Sequence, residues 1–257
     1  MKNYFDLTGQ VAIMTGCSTG LGVQMAKALA SQGADIVAVA RRENLLIEVA
    51  EEISKEFDVK VLPIRCDITD TQMVDAMVDE ALKYFGRIDI VVNNAGTGAV
   101  APAEDILDEQ FENEMNIDLF GSFRVARAAA KKAMIPAGYG RVINIASMYG
   151  LVGNKVTGSA PYHAAKGGVV NLTRALAAEW GKYGITVNAI CPGYFYTPLT
   201  QDTLDSAFFQ EHARVMIPEE RYGNEGELDT AVLFLASRNS AYVTGVNLPV
   251  DGGYTAM

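Results

Sequence analysis

Tyr162 and Lys166 stand four residues apart in Tyr162-His163-Ala164-Ala165-Lys166, which sets a phenol and an ammonium on one face of a helix through AAKGGVVNLTRALAAEW. A phenol is an ineffective acid or base near neutral pH. A cation held beside it favours the phenolate and brings it within reach of proton transfer to or from an oxygen. Upstream, Thr15-Gly16-Cys17-Ser18-Thr19-Gly20-Leu21-Gly22 runs directly into VQMAKALASQG. Glycines at such a junction let the backbone turn tightly and approach a pyrophosphate, whose charge meets the N–H groups and dipole of the helix N-terminus. The spacing is GxxxGxG, not the commoner GxGxxG. The pair and the loop together point to a nucleotide cofactor beside a proton donor.

These groups need a scaffold that brings them together. Runs rich in Val and Ile recur at 11–15, 35–40, 59–64, 88–94, 141–146, 185–190 and 246–250, and read as strands apolar on both faces. Between them, segments such as 43–57 and 69–86 carry apolar residues at i, i+3 or i+4. Alternating strands and helices predict an α/β chain, a doubly wound Rossmann fold with a seven-stranded parallel sheet and helices on both faces. No linker, repeat or charge block marks a second domain, so 1–257 reads as a single dinucleotide-binding and catalytic domain. Pro249 removes a ladder donor and assigns the last strand to the sheet edge. The segment 194–222 departs from this texture. With Tyr194, Phe195, Tyr196, Phe208, Phe209 and Tyr222 it reads as a substrate lid.

Composition narrows the function. The chain has 257 residues, 49% hydrophobic and 20% charged, as a globular protein does. With 21 Lys and Arg against 31 Asp and Glu, the net charge of −10 offers no footprint for a nucleic acid. Cys17, Cys66 and Cys191 are widely spaced, with no CxxC, so no disulfide framework and no metal site is expected. No leader and no apolar run of membrane-spanning length is evident, and a cytoplasmic protein is expected.

Where the second strand ends at Ala40, a site selective for NAD usually places an acidic residue on the ribose 2′-hydroxyl. Arg41 and Arg42 follow instead, and a guanidinium can pair with a 2′-phosphate. NADP(H) is therefore favoured over NAD(H), with Arg41 the favoured residue and Ser18 a candidate hydroxyl donor. Further candidates sit at strand ends: Asn93-Asn94-Ala95-Gly96 after the fourth, Ser147 after the fifth, and Pro192-Gly193 with Thr197 after the sixth. Asn116 lies in the helical stretch after the fourth strand.

TGCSTGLG, NNAG, Asn116, Ser147, YHAAK and PGYFYT, in this order and spacing, resemble the short-chain dehydrogenase/reductase family in its roughly 250-residue form, along essentially the whole chain to VDGG at 250–253. The resemblance implies an oxidoreductase that interconverts a secondary alcohol and a ketone. Tyr162 would exchange the proton, Ser147 would orient the oxygen, and Lys166 would favour the Tyr162 phenolate and bind the nicotinamide ribose. Asn116 would hold a water linking Lys166 to solvent. Gly16, Gly20, Leu21 and Gly22 would line the pyrophosphate, and Asp67 and Ile68 the adenine. Asn94, Ala95 and Gly96 would sit by the adenosine ribose, with Pro192, Gly193 and Thr197 by the carboxamide or phosphate. Relatives associate through helices here at about 111–135 and 161–182, which implies a homotetramer or homodimer.

The small-molecule substrate is less sharply drawn. PGYFYTPLT resembles gluconate 5-dehydrogenase-like members and favours a sugar acid or polyol, whereas the aromatic lid would suit a hydroxysteroid such as a bile acid. A 3-oxoacyl-carrier-protein reductase is a further alternative, and a sensor or scaffold that binds NADP(H) without turnover is another. Fourteen residues separate Ser147 from Tyr162, and Lys155 within them is a candidate partner for a substrate carboxylate.

Overall fold

The computed structural model describes residues 3–98, 100–155, 158–197 and 200–257; residues 198–199 of the expected lid lie outside these. Seven strands form one parallel sheet: β1 (Val11–Thr15), β2 (Asp35–Ala40), β3 (Val61–Arg65), β4 (Ile90–Asn93), β5 (Gly140–Ile145), β6 (Ile185–Pro192) and β7 (Asn247–Val250). Their spatial order is β3-β2-β1-β4-β5-β6-β7. The direction of winding reverses between β1 and β4, where Ala12 is in register with Ile90 and Met14 with Val92. A doubly wound sheet opens a crevice at that point, beyond the strand C-termini.

β1, β4, β5 and β6 are buried along their whole length, as strands covered on both faces must be. One face is covered by α1 (Leu21–Ser31), α2 (Glu43–Phe57) and, from late in the chain, α10 (Asp229–Ala236). Met25, Leu29, Leu46, Ile53 and Val232 pack there against Met14, Ile36 and Ile143. The other face is covered by α3 (Thr71–Phe85), an unbroken helical run over 108–137 and α7 (Ala160–Trp180). Met77, Val78, Val125, Leu176 and Trp180 pack there against Ile13, Val91 and Val187. Asp70 starts α3 by accepting the Gln72 and Met73 amides at 2.7 and 3.2 Å.

The run over 108–137 is not uniformly wound. It comprises α4 (Asp108–Glu114), a π-helical stretch Met115–Gly121, α5 (Ser122–Ala129), a second π stretch Ala130–Met134, and α6 (Ile135–Ala137). Each π stretch changes the angular phase of the side chains that follow. The edge strands β3 and β7 each carry a proline, Pro63 and Pro249, as their position allows.

Segment 194–222 contains α8 (Gln201–Leu204) and α9 (Ala207–Met216). Leu204, Ala213, Ile217 and Tyr222 pack with Met148, Tyr149 and Tyr254 in a separate cluster over the strand C-termini, with Tyr162, Tyr194 and Phe209 partly buried against it. Among the described residues, no helix is long and apolar enough to cross a membrane.

Candidate active site

The phosphate loop is shaped by close backbone approach. Gly16 has φ +69°, and a Cβ there would stand 2.7 Å from Asn94 Nδ2. A Cβ on Gly22 would stand 2.3 Å from the Gly16 carbonyl oxygen. Neither position has room for a side chain, and the backbone left bare is what a pyrophosphate needs. Asn94 locks this loop to the end of β4: its Nδ2 donates to the carbonyls of Thr15 at 3.0 Å and Gly16 at 3.4 Å. Thr15 Oγ1 accepts the amides of Asn94 and Ala95 at 3.0 and 3.1 Å.

Beneath the site, Asn93 Nδ2 donates to Asn144 Oδ1 at 2.9 Å and to the Ser122 carbonyl at 3.1 Å. Asn144 Nδ2 donates to Thr173 Oγ1 at 2.9 Å. This buried polar chain ties α5, β4, β5 and α7 together directly under the strand ends. These buried hydrogen bonds fix their relative positions.

A groove of about 830 Å³ runs across the sheet at the switch point. One end is lined by Gly16, Ser18, Gly20, Leu21, Gly22, Arg41, Arg42, Asp67 and Ile68, and its middle by Asn94, Ala95 and Gly96. The far end is lined by Ser147, Tyr162, Lys166, Pro192, Gly193 and Thr197. An elongated dinucleotide fits this shape, with bare loop backbone for its phosphates. Both arginines that follow β2 line the groove. Both are exposed; Arg42 Nη2 donates to Ser18 Oγ at 3.0 Å and Thr19 Oγ1 at 3.1 Å, and Arg41 acts on Asp67 through space. Asp67 Oδ1 accepts the Thr69 amide and hydroxyl at 3.0 and 2.8 Å, so it shapes its own loop; the cap of α3 is Asp70.

At the far end, Ser147 Oγ accepts the Tyr149 amide at 3.1 Å as the chain leaves β5. Lys166, 5% exposed, donates from Nζ to the Ile145 carbonyl at 3.0 Å and sits 5.5 Å from the Tyr162 ring centroid. The i, i+4 pairing read from the sequence is thus realised, with the ammonium pinned to the end of β5. Asn116 is not part of it. Its Oδ1 accepts Arg124 Nη2 at 2.9 Å and its carbonyl accepts Arg124 Nη1 at 3.3 Å. The side chain beside Lys166 is instead Asp118, two residues on, with Oδ2 3.3 Å from Nζ. Two residues apart on the π stretch, Asn116 and Asp118 point to different faces and meet different neighbours.

Sequence reasoning also missed an aromatic nest beside the site. Tyr149 stacks on His163 with centroids 4.6 Å apart, and its hydroxyl is bonded to that of Tyr194. Tyr194 in turn meets Phe209, His212, Tyr222 and Tyr254 edge to face. Burial and the Tyr194 hydroxyl hold the Tyr149 phenol well above its ordinary range, and burial lowers His212, so both are neutral. Burial pushes the Cys17 thiol up to about 12, which leaves it inert beside the loop. Lys155 is exposed and lies outside the groove lining.

A family model described as enoyl-(acyl carrier protein) reductase matches residues 16–255. The chain belongs to the short-chain dehydrogenase/reductase family. Among its relatives, the 2-dehydro-3-deoxy-D-gluconate 5-dehydrogenase of Escherichia coli (strain K12) is 38% identical over 256 residues, covering 98% of each chain. The D-threitol dehydrogenase of Mycolicibacterium smegmatis is 37% identical, covering 98% of this chain and 95% of the relative. The crystal structure of a gluconate 5-dehydrogenase from Burkholderia cenocepacia J2315, in complex with NADP and tartrate, is 37% identical and superposes with a TM-score of 0.93 over 99% of this chain and 98% of that one. This short-chain dehydrogenase/reductase therefore shares both fold and length with dehydrogenases of sugar acids and polyols.

Proposed function

We propose that this protein is an NADP(H)-dependent oxidoreductase that interconverts a secondary alcohol and a ketone on a sugar acid or polyol. One observation carries the reading: a single groove joins the bare phosphate loop and the Arg42–Ser18 contact to the Ser147, Tyr162 and Lys166 end. The relatives named above act on, or are solved with, sugar acids and polyols, which favours that substrate class over a hydroxysteroid.

Bound in this groove, the nicotinamide supplies the hydride chemistry. Gly16, Gly20, Leu21 and Gly22 hold the pyrophosphate at the start of α1, and Arg42 with Ser18 and Arg41 meet a 2′-phosphate. Asp67 and Ile68 flank the adenine; Asn94, Ala95 and Gly96 support the ribose. Pro192, Gly193 and Thr197 close the nicotinamide end. Tyr162 passes its proton to the substrate oxygen during reduction and takes it back during oxidation. Ser147 donates to that oxygen and orients it, and Lys166 holds its charge beside Tyr162. Chain 1–257 acts as one catalytic domain in the cytoplasm, with 194–222 covering the substrate. It assembles as a homodimer or homotetramer.

The test is the initial rate of NADPH and NADH oxidation with 5-ketogluconate and other keto-sugars, oxo bile acids and an acetoacetyl thioester, with Tyr162→Phe alongside. Turnover of a keto-sugar or keto-acid, faster with NADPH and lost in Tyr162→Phe, is the expected result. Cofactor binding without turnover of any ketone moves the protein to the sensor class, and a preference for NADH overturns the role of the arginines.

A further inference from the structure

Asp118 is fully buried on the π stretch between α4 and α5. Its Oδ1 accepts the Thr97 amide at 2.9 Å, and its Oδ2 faces Lys166 Nζ at 3.3 Å with no hydrogen-bond partner beyond that ion pair. The Thr97 amide needs only an acceptor, which a neutral amide side chain of the same shape would supply. Lys166 is the neighbour to which the charge itself matters. A carboxylate in this position is costly, and burial pushes its pKa above the ordinary value even though Lys166 and the Thr97 amide oppose that rise. In return, although burial alone would lower Lys166, the charges of Asp118, Tyr162 and Glu114 hold it above its ordinary value.

We propose that Asp118 is a positioning residue that acts through Lys166: it draws the ammonium towards the π stretch and takes up part of its charge, so that less of that charge bears on the Tyr162 phenol. This rests on the reading of Tyr162 as the proton-transfer group. The other ionisable groups around Lys166 do not duplicate the effect. Glu114, one turn earlier on α4, is the smallest of the charges that raise Lys166, and Tyr149, beyond β5, is held neutral by burial and Tyr194. Cys191 on β6 is pushed up to about 11 by burial, and Arg124 is engaged by Asn116.

The experiment compares parent, Asp118→Asn and Tyr162→Phe in two ways. One is the pH profile of kcat/KM for alcohol oxidation. The other is the phenolate absorbance of the cofactor-free protein against pH, taken as the part that Tyr162→Phe removes. Asp118→Asn keeps the acceptor for Thr97 and deletes the charge. Its acid limb and its phenolate absorbance are both expected about one pH unit lower than the parent's. Asp118→Ser carries the same expectation should Asp118→Asn not fold. Profiles that superimpose on the parent's, or a variant that loses only rate or melting temperature, overturn the proposal and leave Asp118 as a structural tie. If Tyr162→Phe keeps the parent's rate, the reading of Tyr162 falls and this one with it. An inactive Tyr162→Phe beside an unmoved Asp118→Asn overturns this inference alone.

Discussion

Arg42 reaches across the mouth of the phosphate loop to Ser18, Nη2 to Oγ at 3.0 Å. On the proposed reading that contact aims a guanidinium where a 2′-phosphate would lie, with Arg41, also exposed, next to it in the groove lining. Arg42→Ala is expected to raise KM for NADPH about tenfold to a hundredfold, the scale of one or two charge-assisted hydrogen bonds, with little change for NADH. Arg41→Ala is expected to do the same to a smaller degree. Initial rates with both cofactors check the order of the two arginines.

Tyr162→Phe removes one oxygen from a ring whose face stays packed against the lid cluster. A loss of about 10²- to 10⁴-fold in kcat is expected, the range of general acid–base catalysis, with cofactor affinity kept within a few-fold. Steady-state rates beside a fluorescence titration of the cofactor separate the two effects.

Gly22→Ala would force a Cβ against the Gly16 carbonyl, 2.3 Å away. Backbone cannot yield as a side chain end does, so the loop must shift, at a cost of about 1–3 kcal/mol. Cofactor affinity is expected to fall far more than with Arg42→Ala and for NADH as much as for NADPH. Equal affinities for parent and variant would contradict the loop geometry.

Asn144→Ala cuts the polar chain beneath the site, leaving the Asn93 amide only the Ser122 carbonyl and the Thr173 hydroxyl only the Val169 carbonyl. The expected loss is about 2 kcal/mol, or about 4–8 °C in melting temperature. Activity is expected to fall too, because β4, β5 and α7 carry the catalytic end. Thermal melts and rates on the same preparation check both.

Arg221 and the Asn224 amide hold the Glu227 carboxyl at about 2, below its ordinary 4.5. A depressed carboxyl contributes stability above its unfolded value and loses it as pH falls through the folded one. The pair is largely exposed, so Glu227→Gln is expected to lower the melting temperature by at most about 2 °C at pH 6. The gap is expected to narrow steadily below about pH 4.5. A gap that is constant with pH would show that the carboxylate charge contributes nothing.

Much of this architecture was legible because parallel strands buried on both faces cannot hide their apolar runs. All seven strands were read to within two residues of their ends, α2 matched its predicted span, and Pro249 correctly marked an edge. Tyr162 and Lys166 share one helix, where spacing alone fixes the face. Asp118 was missed for the opposite reason. Its partner lies on another helix, and the π stretch alters the phase, so nothing local distinguishes it from Asn116. The nest of Tyr149, His163, Tyr194 and Tyr254 was hidden in the same way, since its members come from four separate stretches. The choice of Arg42 over Arg41 on Ser18 turned on one residue at a strand end, which no periodicity resolves.

Pro63 and Pro249 stand one on each outer strand of the sheet. A further strand laid along either margin would find an amide missing from the ladder it needs. The sheet is therefore finished at seven strands, and a crowded cell offers neither margin as a template for fibrous growth.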